Sequence, residues 1–430
     1  MQLARPLVLA TFAIVSSVSG AQTPSPAPRA FLLRPARVFD GVRGEVHVGW
    51  VVLVRGDRIE AAGPSSSVPA SLDVQTIDLP GMTLMPGMIE AHSHLLLHPY
   101  NETSWDDQVL REPLGLRTAR AVVHARATLL AGFTTVRDLG TEGAGTADVG
   151  IRMAIDQGII PGPRVLATNR AIVATGSYGP SGFAPEVRVP QGAEEASGTD
   201  ELTRVVRRQI ADGADWIKVY ADYRWGPGGE ARPTFTEAEL RTIVEVAGSS
   251  GRHVVAHAST AEGMRRSVLA GVRTIEHGDA GTPAVWRLMA ERGVALCPTL
   301  AAGHAIAQYR GWVVGRDPEP ARIAAKRASF RAAVAAGVTI CNGSDVGVFA
   351  HGDNVRELEL MVEYGFTAAQ ALLAATGVTA RALDIDGQVG AIRTGLMADI
   401  IAVEGSPLSD VKALRRVRFV MKGGTVYLTP

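Results

Sequence analysis

The middle of the sequence, from about residue 83 to residue 386, alternates short apolar runs with segments of helical periodicity. This alternation is typical of βα units that build a parallel sheet. The predicted strands are residues 83–91, 134–138, 164–167, 216–220, 253–257, 274–277, 294–297 and 338–341. The predicted helices include residues 118–131, 236–249, 261–270, 321–336 and 367–376.

Eight strand–helix steps within roughly 300 residues fit the usual size of a (β/α)8 barrel. We therefore predict an α/β chain with a TIM-like barrel over residues 86–386. A doubly wound open sheet is the alternative, but no Gly-x-Gly-x-x-Gly motif follows the first predicted strand.

Two β-rich ends flank this region, and residues 22–85 and 387–430 are predicted to form one small β-sandwich domain together. The first 21 residues read as a secretory signal: Arg5 supplies a positive charge, residues 7–18 are apolar, and Ser19-Gly-Ala21 is a small-residue cleavage site. We expect a secreted or periplasmic protein that has no membrane span in its mature form.

Composition limits the possible partners. Lys plus Arg and Asp plus Glu both number 43, so no basic surface predicts nucleic-acid binding, and a small-molecule substrate is favoured. The only cysteines, Cys297 and Cys341, each end an apolar run. Unpaired, buried thiols are the favoured interpretation, although a bridge is possible if the two runs are neighbouring strands.

Polar side chains interrupt or follow several predicted strands: His92, His94, Lys218, His257, His277 and Asp345. The carboxyl ends of barrel strands carry the active sites of such enzymes. A spacing of two in an extended segment puts His92 and His94 on the same side, which suits joint coordination of one ion.

Each of these residues also has an ordinary structural interpretation. Asp345 could be a helix N-cap, and His277 could be a hydrogen-bonded residue at a strand end. Lys218 is different, because a buried ammonium in an apolar strand needs a partner or a modification. His253 is predicted to be buried and hydrogen-bonded, and His98 to be a loop residue outside the metal site. The coincidence of six polar residues at one end of the strands favours the metal site.

These motifs resemble the metal-dependent amidohydrolase superfamily, and within it the imidazolonepropionase-like and Xaa-Pro-dipeptidase-like branch. The similarity spans nearly the whole mature chain. It rests on residues 84–95, 132–138, 216–220, 255–257, 342–345, 351–360 and 395–401.

The resemblance implies two divalent metal ions, most often zinc. It assigns His92, His94 and Asp345 to one ion, His257 and His277 to the other, and Lys218, carboxylated by carbon dioxide, as the bridge between them. In this family a hydroxide shared by the ions attacks an amide carbonyl. Asp345 would then be the catalytic residue that passes a proton to the leaving nitrogen.

The sequence departs from the family pattern at three places. A second histidine often follows the ligand on strand five, whereas here the motif is His257-Ala-Ser259. Tyr178 stands in Gly176-Ser-Tyr-Gly179, where relatives often carry a histidine. The loop at residues 222–229 also differs, so specificity does not transfer directly.

Enzymes of this branch commonly hydrolyse dipeptides or N-acyl amino acids, and some cleave amide-linked aromatic toxins such as ochratoxin. The predicted substrate-binding residues are Tyr178, Tyr220, Tyr223, Arg224 and His304. Two alternatives remain open: hydrolysis of a cyclic amide, and a non-catalytic binding barrel. Relatives are often homo-oligomers, so we expect one.

Overall fold

The computed structural model describes residues 30–69, 73–184 and 186–430; the predicted signal peptide and linker lie outside the described residues. The strands are β1 Ala30–Phe39, β2 Val46–Val48, β3 Trp50–Arg55, β4 Arg58–Pro64, β5 Gln75–Pro86, β6 Met88–Ser93, β7 Phe133–Asp138, β8 Arg164–Ala167, β9 Ile172–Val173, β10 Glu194–Glu195, β11 Ile217–Tyr220, β12 Asp222–Tyr223, β13 Arg232–Pro233, β14 Val254–Thr260, β15 Thr274–Ala280, β16 Ala295–Cys297, β17 Ile400–Glu404, β18 Val417–Lys422 and β19 Thr425–Leu428.

The α-helices alternate with the strands of the middle region, which gives the mixed α/β content that the sequence predicts. They are α1 Trp105–Arg111, α2 Leu114–Leu130, α3 Ala147–Asp156, α4 Gly198–Ala211, α5 Glu237–Gly248, α6 Ala261–Ala270, α7 Pro283–Arg292, α8 Leu300–Tyr309, α9 Ala321–Ala335, α10 Val355–Glu363, α11 Ala368–Leu373 and α12 Thr379–Ala382.

Both ends of the described chain contribute to one sheet, whose strand order is β19-β18-β17-β5-β1-β3-β4, with β2 paired to β1. Strand β5 pairs in parallel with β1 and antiparallel with β17, so it joins the two ends. Leu33, Val52, Leu84 and Phe419 are fully buried in the core of this sheet. The predicted domain limits at residues 85 and 387 stay a prediction.

The middle region contains parallel pairs only between its main strands. Strands β6, β7 and β8 form one set, and β9, β11, β14, β15 and β16 follow one another in a second. Parallel bridges link Leu296 to Ile340 and Ser93 to Val346. The carboxyl ends of these strands therefore meet at one edge, which is called the rim below.

Local signals fix several helices where the sequence predicts them. Helix α6 begins after Thr260, whose side chain accepts a hydrogen bond from Gly263 N. It ends at Gly271, whose φ of 97° is the left-handed cap that glycine tolerates best. Thr236 and Glu239 form a reciprocal capping box at the start of α5.

Two of the predicted barrel strands differ in the structure. The run at residues 83–91 divides at Gly87: β5 stays in the terminal sheet and β6 starts the parallel set. A Cβ at Gly87 would lie 2.1 Å from Thr134 Oγ1, so only glycine allows this close crossing. Residues 338–341 form no regular strand, because Ile340 makes only a single bridge to Leu296.

Two side-chain predictions also require correction. Cys297 and Cys341 form a disulfide bond, with Cα atoms 4.8 Å apart, because the bridge one residue earlier brings the two segments side by side. His253 is not buried: it precedes β14, and its partly exposed ring lies 3.2 Å from an Asp384 carboxylate oxygen. Among the described residues, no helix combines the length and apolar character that crossing a membrane requires.

Candidate metal centre

The first group of ligand candidates, His92, His94 and Asp345, comes together at the rim. One ligand atom from each lies within 4.8 Å of the others, a spacing that could hold a metal ion. Asp345 Oδ1 lies 3.2 Å from His94 Nε2 and 3.5 Å from His92 Nε2. Asp345 has a φ of 63° and lies far before α10, so it does not cap a helix.

Buried partners orient both histidines of this first group. The other ring nitrogen of His92, Nδ1, lies 2.7 Å from Glu276 Oε2, and His94 Nδ1 lies 2.9 Å from the Gly140 carbonyl oxygen. These contacts leave Nε2 of each ring facing Asp345, as a metal-binding histidine requires. Glu276 is itself held by Arg137 Nη2 at 2.9 Å, and both side chains are fully buried.

A second carboxylate ties the segments that carry the first group. Glu90 accepts hydrogen bonds from the backbone and hydroxyl groups of Ser344, at 2.8 and 2.6 Å, and from Asn354 Nδ2 at 2.9 Å. It also accepts one from His92 N at 3.0 Å. Because Ser344 precedes Asp345, this network fixes the distance between β6 and the Asp345 segment.

The second group of candidates consists of Lys218, His257 and His277. The rings of His257 and His277 have centroids 4.4 Å apart, and the His277 ring lies 5.2 Å from that of His92, so the two groups are contiguous. Thr299 Oγ1 lies 2.8 Å from His277 Nδ1. Asp222 Oδ1 lies 3.7 Å from His257 Nε2, which is too far for a hydrogen bond.

Electrostatics distinguish Lys218 from an ordinary strand lysine. Its side chain is 1% exposed in β11 and forms no hydrogen bond or ion pair with another described residue. Burial lowers the pKa of the Lys218 amine to about 8. Burial and then the Lys218 charge lower the pKa of His257 to about 3, so this imidazole is neutral, as metal binding requires.

A cavity of about 230 Å³ opens over both groups. Tyr178, Tyr220, Tyr223 and Arg224, all predicted to bind substrate, line it. The Tyr220 ring stacks on the His257 ring with centroids 4.5 Å apart.

The structure does not bring His304 to this cavity. It lies on α8, where Arg356 Nη2 is 2.8 Å from its Nδ1 and the Trp312 ring packs against it. His98 lies in a loop, as predicted, where its ring nitrogens contact Glu102 and Glu112 outside the first group.

The sequence argument missed four charged residues of the cavity: Glu142, Asp279, Arg322 and Lys326. Glu142 is 2% exposed with a φ of 48°, and Arg322 lies at the start of α9. The left-handed backbone of Glu142 is shared with His277, Asp345 and Thr299. Strained backbone of this kind clusters at functional sites, but the sequence carries no signal for it outside glycine.

Comparison with known proteins agrees with this arrangement. The pattern of the Amidohydrolase family matches residues 83–427. The chain belongs to the amidohydrolase family.

Three amidohydrolase relatives illustrate the breadth of the family. An ochratoxinase of Aspergillus niger is 30% identical, over 81% of this chain and 76% of its own length. A solved Xaa-Pro dipeptidase with bound methionine superimposes with a TM-score of 0.81 at 31% identity, covering 93% of this chain and 100% of that one. An imidazolonepropionase of Haloarcula marismortui is 24% identical over 91% of this chain and 93% of its own.

Family membership identifies this protein as a hydrolase that acts on amide bonds. It removes the non-catalytic binding barrel from the alternatives. The family is generally metal-dependent, and the first group of side chains could hold such an ion.

Proposed function

We propose that this amidohydrolase cleaves the amide bond of dipeptides or N-acyl amino acids at a centre of two divalent ions, zinc being the expected metal. The observation that carries the proposal is the convergence of the two ligand groups beneath one cavity that is lined by tyrosines and arginines. Ochratoxin-like aromatic amides are a further substrate class, which the ochratoxinase relative supports.

The two groups would offer different sets of ligands to the two ions. The first group offers two imidazole Nε2 atoms and a carboxylate oxygen, which are normal zinc ligands. The second group offers two neutral imidazoles but lacks an anion unless Lys218 carries a carbamate formed with carbon dioxide. The pKa of about 8 favours this, because a neutral amine is the form that reacts. Bound ions would polarise the amide carbonyl and make a hydroxide nucleophile available near neutral pH.

The protein's own residues then handle protons and orientation. Asp345, hydrogen-bonded to His94, is placed to accept the proton of the attacking water and to deliver it to the leaving nitrogen. Arg224 forms no ion pair with another described residue, so its charge is available for a substrate carboxylate, whereas Arg322 pairs with Asp279 at 3.9 Å.

The alternative substrate is a cyclic amide, which the imidazolonepropionase relative supports. Export would separate the enzyme from most intermediary metabolism, so we favour the linear amide. The Cys297–Cys341 bond supports export, since disulfides persist in oxidising compartments.

The same proposal extends to architecture and assembly. The parallel strands would close into a (β/α)8 barrel through the bridges at Ile340 and Val346, and the terminal sheet would fold as a small β-sandwich domain. A homo-oligomer is the expected assembly in solution.

The test is a substrate screen on the zinc-loaded mature protein, with dipeptides and N-acyl amino acids on one side and cyclic amides on the other. We expect release of a free C-terminal amino acid from the linear substrates. Exclusive ring opening would favour the alternative. Absence of bound metal, together with no activity after zinc addition, would overturn the metallohydrolase proposal.

A further inference from the structure

Glu142 is a buried anion whose role the metal centre does not explain. Its carboxylate accepts hydrogen bonds from Trp105 Nε1 at 2.9 Å, from the Tyr178 hydroxyl at 2.6 Å and from the Tyr220 hydroxyl at 3.3 Å. All three donors are neutral. The nearby Arg117 donates to the backbone carbonyl oxygen of Glu142, at 2.8 Å, rather than to the carboxylate.

The tyrosine hydroxyls keep their protons and do not neutralise this charge. Both hydroxyls donate to the carboxylate, and burial, followed by the charge of Glu142, raises the pKa of Tyr178 well above the usual value. A carboxylate has about four acceptor positions, and three are used here. Among the described residues no cation pairs directly with this carboxylate, and the Arg117 charge reaches it only from the side of the backbone carbonyl. The carboxylate at the cavity wall is therefore open to a cationic partner that arrives from the cavity.

The geometry relates Glu142 to the reacting bond. Tyr220 links Glu142 to the second ligand group, because its hydroxyl contacts Glu142 while its ring stacks on His257. The cations that line the cavity differ in their partners: Arg322 and Lys326 both pair with Asp279, whereas Arg224 packs on the Tyr223 ring and forms no ion pair with another described residue. The cavity therefore presents the Glu142 carboxylate at one place and the unpaired Arg224 guanidinium at another.

A dipeptide with free ends has matching charges. Its ammonium lies one carbon from the scissile carbonyl, and its carboxylate lies one carbon beyond the scissile nitrogen. An N-acyl amino acid has only the carboxylate and would leave Glu142 without a cation. Resting on the proposed function, we propose that Glu142 binds the α-ammonium of the substrate and makes the enzyme selective for dipeptides with a free amino terminus.

The experiment compares alanyl-phenylalanine with propionyl-phenylalanine, which differ only by the amine, on the zinc-loaded full-length mature enzyme. We expect wild type to show a kcat/KM at least about tenfold higher for the alanyl compound, the size of one hydrogen bond between charged groups. In Glu142→Gln this ratio should fall to near one. The loss should appear mainly in KM for the alanyl compound and should exceed any loss on the propionyl compound.

Asp106→Asn is the matched control, because it removes an exposed negative charge from a neighbouring pocket that shares Tyr178 and Tyr223 with the cavity. We expect it to leave the ratio intact. Equal or faster hydrolysis of the propionyl compound by wild type would overturn the ammonium assignment and leave amide hydrolysis standing. An equal loss on both compounds in Glu142→Gln would also overturn it, since that is the result of a purely structural role. Hydrolysis of neither compound by wild type would instead overturn the proposed function, and this assignment with it.

Discussion

The two ligand groups at the rim are held in different ways. The first group is supported by the buried carboxylates Glu276 and Glu90, which fix a ring orientation and join two chain segments. The second group has weaker support, a Thr299 hydroxyl and an Asp222 oxygen at 3.7 Å, and its lysine is unpaired. In the proposed two-ion centre, folding alone would build the first site, whereas the second would be completed by modification of Lys218.

The largest expected effect follows from removing the bridging lysine. Lys218→Ala should lower activity by more than about a hundredfold, because losing a ligand costs more than losing an outer partner. Added short carboxylic acids should restore part of the activity, since a carboxylate can replace the carbamate. Steady-state assays with and without acetate measure both effects. Wild-type rates in this variant would contradict the carbamate.

The next effect tests the support of the first group. Glu276→Gln should weaken metal binding by about 10- to 100-fold, because His92 loses the partner that orients it. It should also lower the free energy of unfolding by about 3 kcal/mol, since the buried charge of Arg137 is left unpaired. Metal titration and denaturant unfolding measure these changes. Unchanged metal affinity in the variant would contradict the role of Glu276 in orienting His92.

A smaller effect is expected from the matched change in the second group. Thr299→Val keeps the branched shape but removes the hydroxyl beside His277, and metal affinity should fall by about fivefold, the value of one neutral hydrogen bond. A larger loss here than in Glu276→Gln would reverse the comparison between the groups.

The disulfide should have the smallest effect on activity. Cys297→Ala together with Cys341→Ala should lower stability by about 4 kcal/mol, as chain-entropy arguments give for cysteines 44 residues apart. Activity at 25 °C should stay within about threefold, because the metal-binding side chains remain in place. Thermal unfolding of the variant beside wild type measures the loss, and an unchanged unfolding temperature would contradict it.

Where the signal is local, the sequence places candidate residues at the rim. His92, His94, Lys218, His257 and His277 could be placed because each interrupts or ends an apolar run whose strand periodicity is visible in the chain. The run at residues 83–91 was wrongly predicted to be one strand, because the pairing of residues 83–86 with the distant strand β17 is not visible in the local sequence.

Features that depend on contacts between distant parts of the chain could not be predicted from the sequence. Glu276 lies next to a ligand in sequence, but its function comes from His92, which is 184 residues away. The disulfide was judged improbable because the pairing depends on the register of residues 338–341 against β16. His304 was predicted to bind substrate, but its position on α8 brings its ring against Arg356 and Trp312 instead.

Metal analysis can decide whether Lys218 joins two metal sites. It compares the number of metal ions per chain in the mature wild type with the number in Lys218→Ala. We predict two zinc ions in wild type and one in the variant, because the first group keeps its three ligands and the buried carboxylates Glu276 and Glu90 that hold them. Two ions retained without Lys218, or a single ion in fully loaded wild type, would contradict a centre of two unequal halves joined by this lysine.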